Sequence, residues 1–288
     1  MRQRSLAGGL GMDQRRLLLN AMSYGLLILA IVIVSLPILW MLTVSVRPNL
    51  EVMKIPPSWI PAHFTLASYG KILTNPRYIV VFLNTIFISL FVTFLSLFLG
   101  ALAAYALARF NFMGQRVVLM FLIITQMFPL ILLCIPYFRV FVMLGLYDTR
   151  TSLIIVYLTF TLPFCILMLR SYFMNISPAM EEAAMVDGCT RMGAIFRILV
   201  PVSYPAFIGA GLYAFLLAWN EFLFAMVLVE AWENRVLTMA IYSLMAEFVT
   251  DWSGMMAFSM LASLPLVVAF ILLQKFMVQG MTAGALTS

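Results

Sequence analysis

Charge is scarce in this sequence: 10% of its 288 residues are Asp, Glu, Lys or Arg, while 64% are hydrophobic. Soluble domains carry about 25% charged residues. A water-facing surface cannot be built from this composition, so the surrounding solvent is mostly lipid. Strand-length alternation of apolar and polar residues is also missing, which leaves helices with internally satisfied backbones as the way to cross a bilayer. Histidine occurs once, at His63 near Pro61, so histidine catalysis and zinc chemistry have almost nothing to use. The three cysteines, Cys134, Cys165 and Cys189, lie far apart without a C-x-x-C pair, which argues against a disulfide or a metal site. No nucleophile–base or paired-carboxylate arrangement occurs, which speaks against a membrane enzyme. The formal charge of +6 does not point to nucleic acid, because the basic residues flank apolar runs and are not interleaved with aromatics.

Long apolar runs are what the sequence has in abundance. A spanning helix needs about 20 mainly apolar residues, and six runs qualify, at 17–44, 79–108, 117–137, 152–173, 207–229 and 255–276. The expected fold is an all-α integral membrane protein with six transmembrane helices. It divides into an N-terminal tail of 1–16, a transmembrane domain of 17–278 and a C-terminal tail of 279–288. The first run is too long for the apolar part of a secretory signal and lacks a clear cleavage site, so it reads as an anchor that stays. Arg2, Arg4, Arg15 and Arg16 face one acid, Asp13, ahead of that run, which places this tail in the cytoplasm. On this topology both termini are cytoplasmic, and ten of the 17 Lys and Arg residues lie on that side. Two far-side loops stand out. Residues 47–78 carry five prolines and read either as a partner surface or as an ordinary solvated loop. Residues 231–254 carry Trp232 and Trp252 among charges, where tryptophan suits a membrane interface.

The cytoplasmic connection of 174–206 contains the stretch EEAAMVDGCTRMGAIFRILVP. Ser177-Pro178 is a helix start, since Ser can cap free amides and Pro is tolerated at the first helical position. Glu181 and Glu182 fall in the first turns, where acids complement the helix dipole. Gly188 is placed to end the helix in the left-handed conformation that glycine adopts most easily. Asp187 or Thr190 can cap a second helix, whose Met192, Ile195, Phe196 and Leu199 recur at helical spacing. Pro201 and Pro205 mark the re-entry into the fifth span. Ala183 and Ala184 leave one helix surface nearly bare, so another protein's wall can approach and an adjacent carboxylate can pair with a base there. The other reading is an amphipathic connector whose glutamates meet only water.

These residues carry a resemblance. Glu182-Ala183-Ala184, Gly188 six residues after the Glu, and the later Ile198 and Pro201 match the EAA pattern of ABC importer permeases. Trp219-Asn220-Glu221-Phe222-Leu223 resembles the Trp-Asn-Glu/Asp signature of the carbohydrate branch, and Gln279–Ala285 resembles its C-terminal Gly-Leu-Thr-Ala-Gly-Ala ending. Departures are small: Val200 and Met281 stand where the family usually has Leu, and the tail ends Leu-Thr-Ser. The chain is similar to the smaller six-helix permease of maltose-type importers, which implies the type I ABC importer permease fold. The resemblance implies a second homologous permease, two ATPase subunits below, a sugar-binding protein on the far side, and a bacterial or archaeal cytoplasmic membrane. It further implies that Glu181, Glu182, Ala183, Ala184, Asp187 and Gly188 form the coupling helix, and that Gly280, Thr282 and Gly284 reach the ATPases. Spacing to Gly188 selects Glu182 as the contact and leaves Glu181 to solvent. ATP and Mg are expected on the partner ATPases and no cofactor in this chain, whose one Gly-Lys, Gly70-Lys71, lacks the first glycine of a phosphate-binding loop and precedes Ile72.

For the solute pathway, Glu221 is the carboxylate inside a predicted span, with Asn220 beside it, Trp219 before it and Tyr213 two turns earlier. An acid in the bilayer centre costs about 2.5–3.5 kcal/mol and so faces protein or a water-filled cavity. These residues can contact a sugar, or they can hold helices or a loop together. Asn84 and Gln126 are further candidates, although such residues in packed spans commonly bond helix to helix. Two other solute readings accompany the sugar importer: a permease of the same class for glycerol phosphate, a sulfonated sugar or a polyol, and an autonomous secondary transporter. The latter would want several intramembrane titratable groups.

Overall fold

The computed structural model describes residues 12–245 and 250–285, with side chains as far as Lys275. Its regular elements among the described residues are helices and single helical turns. In chain order the elements are α1 (Met12–Ser45), the short α2 (Asn49–Val52) and α3 (Ala67–Thr74), then α4 (Pro76–Arg109), α5 (Gln115–Met127), α6 (Leu130–Met143) and α7 (Arg150–Met174). They are followed by α8 (Ala179–Val186), α9 (Arg191–Ala194) continuing through a π turn (Ile195–Leu199) into α10 (Val200–Val202), α11 (Tyr204–Asn220), α12 (Leu223–Leu228), a 3-10 turn (Trp232–Asn234), α13 (Leu237–Tyr242) and α14 (Trp252–Ala285).

Four helices are long and apolar enough to span a bilayer alone, and up to six spans result if each of two bent pairs counts as one. Runs one, two, four and six of the sequence correspond to α1, α4, α7 and α14. The run at 117–137 is not a straight helix: α5 and α6 meet at 103°. Pro129 accounts for the bend, because it lacks an N–H and pushes Phe128 into extended backbone, observed at φ −75° and ψ 128°. The run at 207–229 is also interrupted, since α11 ends at Asn220 and Glu221 is extended. At its other end α11 meets the 191–202 segment at 84°.

The core is built around α7, half of whose apolar stretch is buried against 6% for α1. α4 and α11 pack along α7, and α1 leans on α14 at the edge. Ala101, Ala104, Ala206, Ala210 and Ala214 are buried where α4, α7 and α11 converge. Small side chains of this kind let helices approach closely where no water drives them together. Cys134 and Cys165 are buried and unbridged, as small core residues.

The Pro-rich segment after α1 is held by an internal polar clamp. Arg47, 1% exposed, donates from Nε to Thr43 O at 2.9 Å, from Nη1 to Ser58 O at 2.9 Å and from Nη2 to Trp59 O at 3.2 Å. Glu51 accepts the Ala62 N–H at 2.7 Å and the His63 N–H at 3.1 Å. Those amides, with the Arg47 guanidinium nearby, hold the Glu51 carboxyl below its usual range despite its burial. Each of these partly buried hydrogen bonds contributes about 0.5–1.5 kcal/mol. We therefore expect Arg47→Met to speed tryptic cleavage at the exposed Lys54 by about tenfold or more, read by limited proteolysis of the detergent-solubilised protein. An unchanged cleavage rate would show that the clamp does not order the loop.

Candidate functional site

At the far end of α4 from the Arg47 clamp, α8 forms the helix that its sequence predicts. Ser177 Oγ accepts the Ala179 N–H at 3.4 Å, and the chain leaves α8 through Gly188 at φ 88°. The Gly188 N–H bonds Met185 O at 3.1 Å and the Cys189 N–H bonds Ala184 O at 2.9 Å, closing the helix end. No atom lies within 4 Å of where a Gly188 Cβ would stand, so the glycine is needed for its backbone angle rather than for space. Of the two candidates for the next cap, Thr190 takes the role: its Oγ1 accepts the Gly193 N–H at 3.1 Å. The expected apolar stripe is only half buried, with Ile195 and Leu199 inside and Met192 and Phe196 exposed.

The two glutamates divide differently from the sequence expectation. Glu182 is exposed, as are Ala183, Val186 and Asp187, while Ala184 is partly covered. Glu181, expected in solvent, is instead 3% exposed. Its Oε1 accepts from Arg109 at 2.7 Å (Nε) and 2.6 Å (Nη2), and Arg109 Nη2 also donates to Ile176 O at 2.9 Å. Adjacent helical residues point about 100° apart, so one glutamate faces the protein while its neighbour faces out. Removing one partner of such a buried pair costs about 3–5 kcal/mol, because the other charge stays buried alone. Arg191 stacks over the Phe110 ring at 5.1 Å. Together Tyr105, Arg109, Glu181, Glu182 and Arg191 line a polar pocket of about 280 Å³. The sequence signalled Arg109 only as a charge at a helix end, since its partner lies 72 residues away.

The pathway candidates do not converge on one place. Asn84 is 3% exposed and spends both amide hydrogens on Glu233 O at 2.7 Å and Arg235 O at 2.9 Å, so it is a clamp between α4 and the 231–236 loop. Thr85 supports it by accepting the Leu237 N–H at 2.8 Å. Glu221 accepts the Phe224 N–H at 2.9 Å and the Ala225 N–H at 3.1 Å, capping α12 across the break. Its own carbonyl accepts from Thr238 Oγ1 at 2.7 Å. Trp219 is buried in a cluster with Tyr78, Leu237 and Phe258. Asn220 is exposed and, with Thr238, Ser259 and Ser263, lines a pocket of about 220 Å³. Tyr213 is half-exposed and stacks on Phe164, ring centroids 3.6 Å apart, and Gln126 is exposed beside the α5–α6 bend. The surroundings of Gly280, Thr282 and Gly284 lie outside the described side chains.

One loop organiser carries no mark in the sequence. Asp148, at φ 55°, accepts from the Glu230 and Ala231 amides at 2.9 and 3.0 Å, and its carbonyl accepts from Asn234 at 2.6 Å. A tight non-glycine left-handed position cannot be read from the dipeptide alone.

This arrangement, a bundle with a short capped helix mounted at one end, can be compared with known proteins. A family model described as binding-protein-dependent transport system inner membrane component matches residues 96–283, which includes α8, α11 and α14. The chain belongs to that family. It is 36% identical over 261 residues to the inner membrane ABC transporter permease protein YcjP of Escherichia coli (strain K12), across 90% of this chain and 93% of the relative. The sulfoquinovosyl glycerol transport system permease protein SmoH of Agrobacterium fabrum is 35% identical, across 87% and 88%. The trehalose/maltose transport system permease protein MalG of Thermococcus litoralis is 33% identical, across 90% and 94%. The crystal structure of a bacterial ABC transporter importing the acidic polysaccharide alginate has the same fold, with a TM-score of 0.74 at 24% identity over 96% of this chain and 98% of that one. This permease is accordingly a multi-pass inner-membrane component of a binding-protein-dependent ABC importer. For the clamp residue the expected result is specific: Asn84→Ala lowers the melting temperature of the purified permease by a few degrees, since the buried amide loses both bonds and the Arg235 carbonyl loses its donor, while Glu233 O keeps Arg150 Nη2 at 3.2 Å. Dye-based thermal unfolding in detergent checks it, and an unaltered melting temperature would free Asn84 for another role.

Proposed function

We propose that this permease forms half of the translocation pore of an ATP-driven sugar importer and receives its power stroke through α8. The observation that carries the reading is the mounting of α8: its inner side is fixed by Glu181 to Arg109, while Glu182, Ala183, Val186 and Asp187 present a low, acidic outer side. Such a surface suits a cleft with a basic residue on an ATPase subunit, and Glu182 is the carboxylate free to pair there. The partners in this reading are a homologous second permease, two ATPase subunits that hold ATP and Mg, and a sugar-binding protein on the opposite face. The α8 end and both termini then lie in the cytoplasm, and Gly280, Thr282 and Gly284 of the tail join the ATPase contact. Tyr213, Asn220 and Gln126, the exposed members of the candidate set, are the residues offered to the solute pathway, whereas Trp219 acts by packing and Asn84 by its hydrogen bonds to the 231–236 loop.

The carbohydrate assignment draws on relatives whose names refer to trehalose, maltose and sulfoquinovosyl glycerol. The last of these favours a second reading, a charged sugar derivative. Thermal shift of the cognate binding protein with trehalose, maltose and sulfoquinovosyl glycerol separates the two. Stabilisation by a neutral disaccharide supports the first, and stabilisation by the sulfonate alone supports the second.

For the docking role, Glu182→Ala removes the free carboxylate, and Gly188→Val forces a side chain into a φ of 88°. Both variants should insert normally in the membrane yet lose the ATPase subunits on affinity purification, with retention falling at least tenfold. Full retention in both would overturn the coupling assignment.

A further inference from the structure

The contact that fixes α8 to the spans is unusual in kind. Among the residues of α8, Glu181 alone is buried, so the helix is attached by a charge rather than by an apolar plug. Its nearest backbone packing is with α9 and the π turn that follow it. Arg109 is the last residue of α4 and ties Glu181 and the Ile176 carbonyl at once, so the entry to α8 and its first turn share one guanidinium. Planar, multi-donor guanidinium pairing constrains direction as well as distance, which a single apolar contact does not.

α4 continues from that joint across the whole molecule. It runs unbroken for 34 residues, and at about 1.5 Å per residue the stretch from Arg109 back to Asn84 spans roughly 38 Å. At that far end Asn84 and Thr85 hold the carbonyls of Glu233 and Arg235 and the amide of Leu237. The helix is stiffened by packing along α7, including a buried Ser96–Thr161 hydroxyl pair at 2.7 Å. Polar clamps thus hold one unbroken helix at its Arg109 end and about two turns inside its other end.

We propose that Arg109 and Glu181 form a rigid joint that makes α8 and α4 move as one body, so that displacement of α8 is carried to the 231–237 loop at the opposite end. Glu181 is a positioning residue in this scheme: it acts through Arg109 and leaves contact with the ATPase to Glu182. The proposal rests on the docking reading above and adds to it the route by which the motion leaves the docking helix.

The test uses the full importer assembled with its second permease and ATPases, with spin labels at the exposed Met180 on α8, away from the docking side, and the exposed Met113 just past α4. Pulsed electron–electron resonance reads the distance between them without nucleotide and after trapping with ATP and vanadate. In the otherwise unsubstituted chain the distance should stay the same in both states. In Glu181→Gln or Arg109→Gln it should shift on trapping by about 2–5 Å, the scale of helix displacements at interfaces, and the double variant should shift no further than either single one. A trapping-dependent shift in the unsubstituted chain would overturn the proposal even if neither variant assembles. So would distances equally fixed in the assembled variants. Loss of ATPase from Glu182→Ala alongside either result would leave docking intact and remove only the joint.

Discussion

The hydrocarbon core offers no hydrogen bonds, so every interruption of a helix inside it has to be repaired by the protein itself. This permease interrupts its spans repeatedly, and the repairs account for most of its polar placement. At the Glu221 break the carboxylate replaces the lost carbonyl acceptors for Phe224 and Ala225, and Thr238 returns a donor to the Glu221 carbonyl. At Ser203 the carbonyl takes both the Ala206 and Phe207 amides as α11 starts in a new direction. At Pro129 the carbonyl receives the Leu132 amide while Thr125 folds back on Leu122.

The same constraint pushes charge to the ends, where it is used for attachment. Arg47 ties the Thr43 carbonyl of α1 to two carbonyls of the Pro-rich segment at one end. Arg109 gathers Glu181 and Ile176 at the other. In both cases a guanidinium organises backbone that no regular element satisfies. The result is a bundle whose apolar middle is packed by small residues and whose two ends are tied by a few directional contacts. A machine driven from one end needs that arrangement, because apolar sliding surfaces transmit displacement poorly while a multi-donor pair holds register.

Much of this was legible in the sequence. The apolar runs located α1, α4, α7 and α14, and the local signals around 177–190 marked the existence of α8, its glycine stop and the cap of α9. The glycine stop and the second cap are set within a few residues of chain, where capping chemistry decides, while the helix starts one residue later than expected, with Pro178 rather than Ser177 at its cap position. What escaped reading was long-range. The burial of Glu181 depends on Arg109, which belongs to another helix, and nothing in Glu-Glu-Ala-Ala says which glutamate turns inward. Glu221 was visible as an acid out of place, yet its use as a cap for α12 required knowing that the fifth run breaks at that residue. Asn84 likewise carried no mark distinguishing a clamp on a loop 149 residues away from a solute contact.

On the proposed function, this chain is a passive half-pore moved by separate ATPases rather than a transporter in its own right. Liposomes holding the chain alone, and liposomes holding it with its second permease and ATPases, can be compared directly. Binding protein is supplied outside in both, loaded with the sugar that its thermal shift identifies. The account predicts accumulation in the complete set only, abolished by omitting ATP or the binding protein. Uptake by the chain alone, independent of ATP, would contradict it.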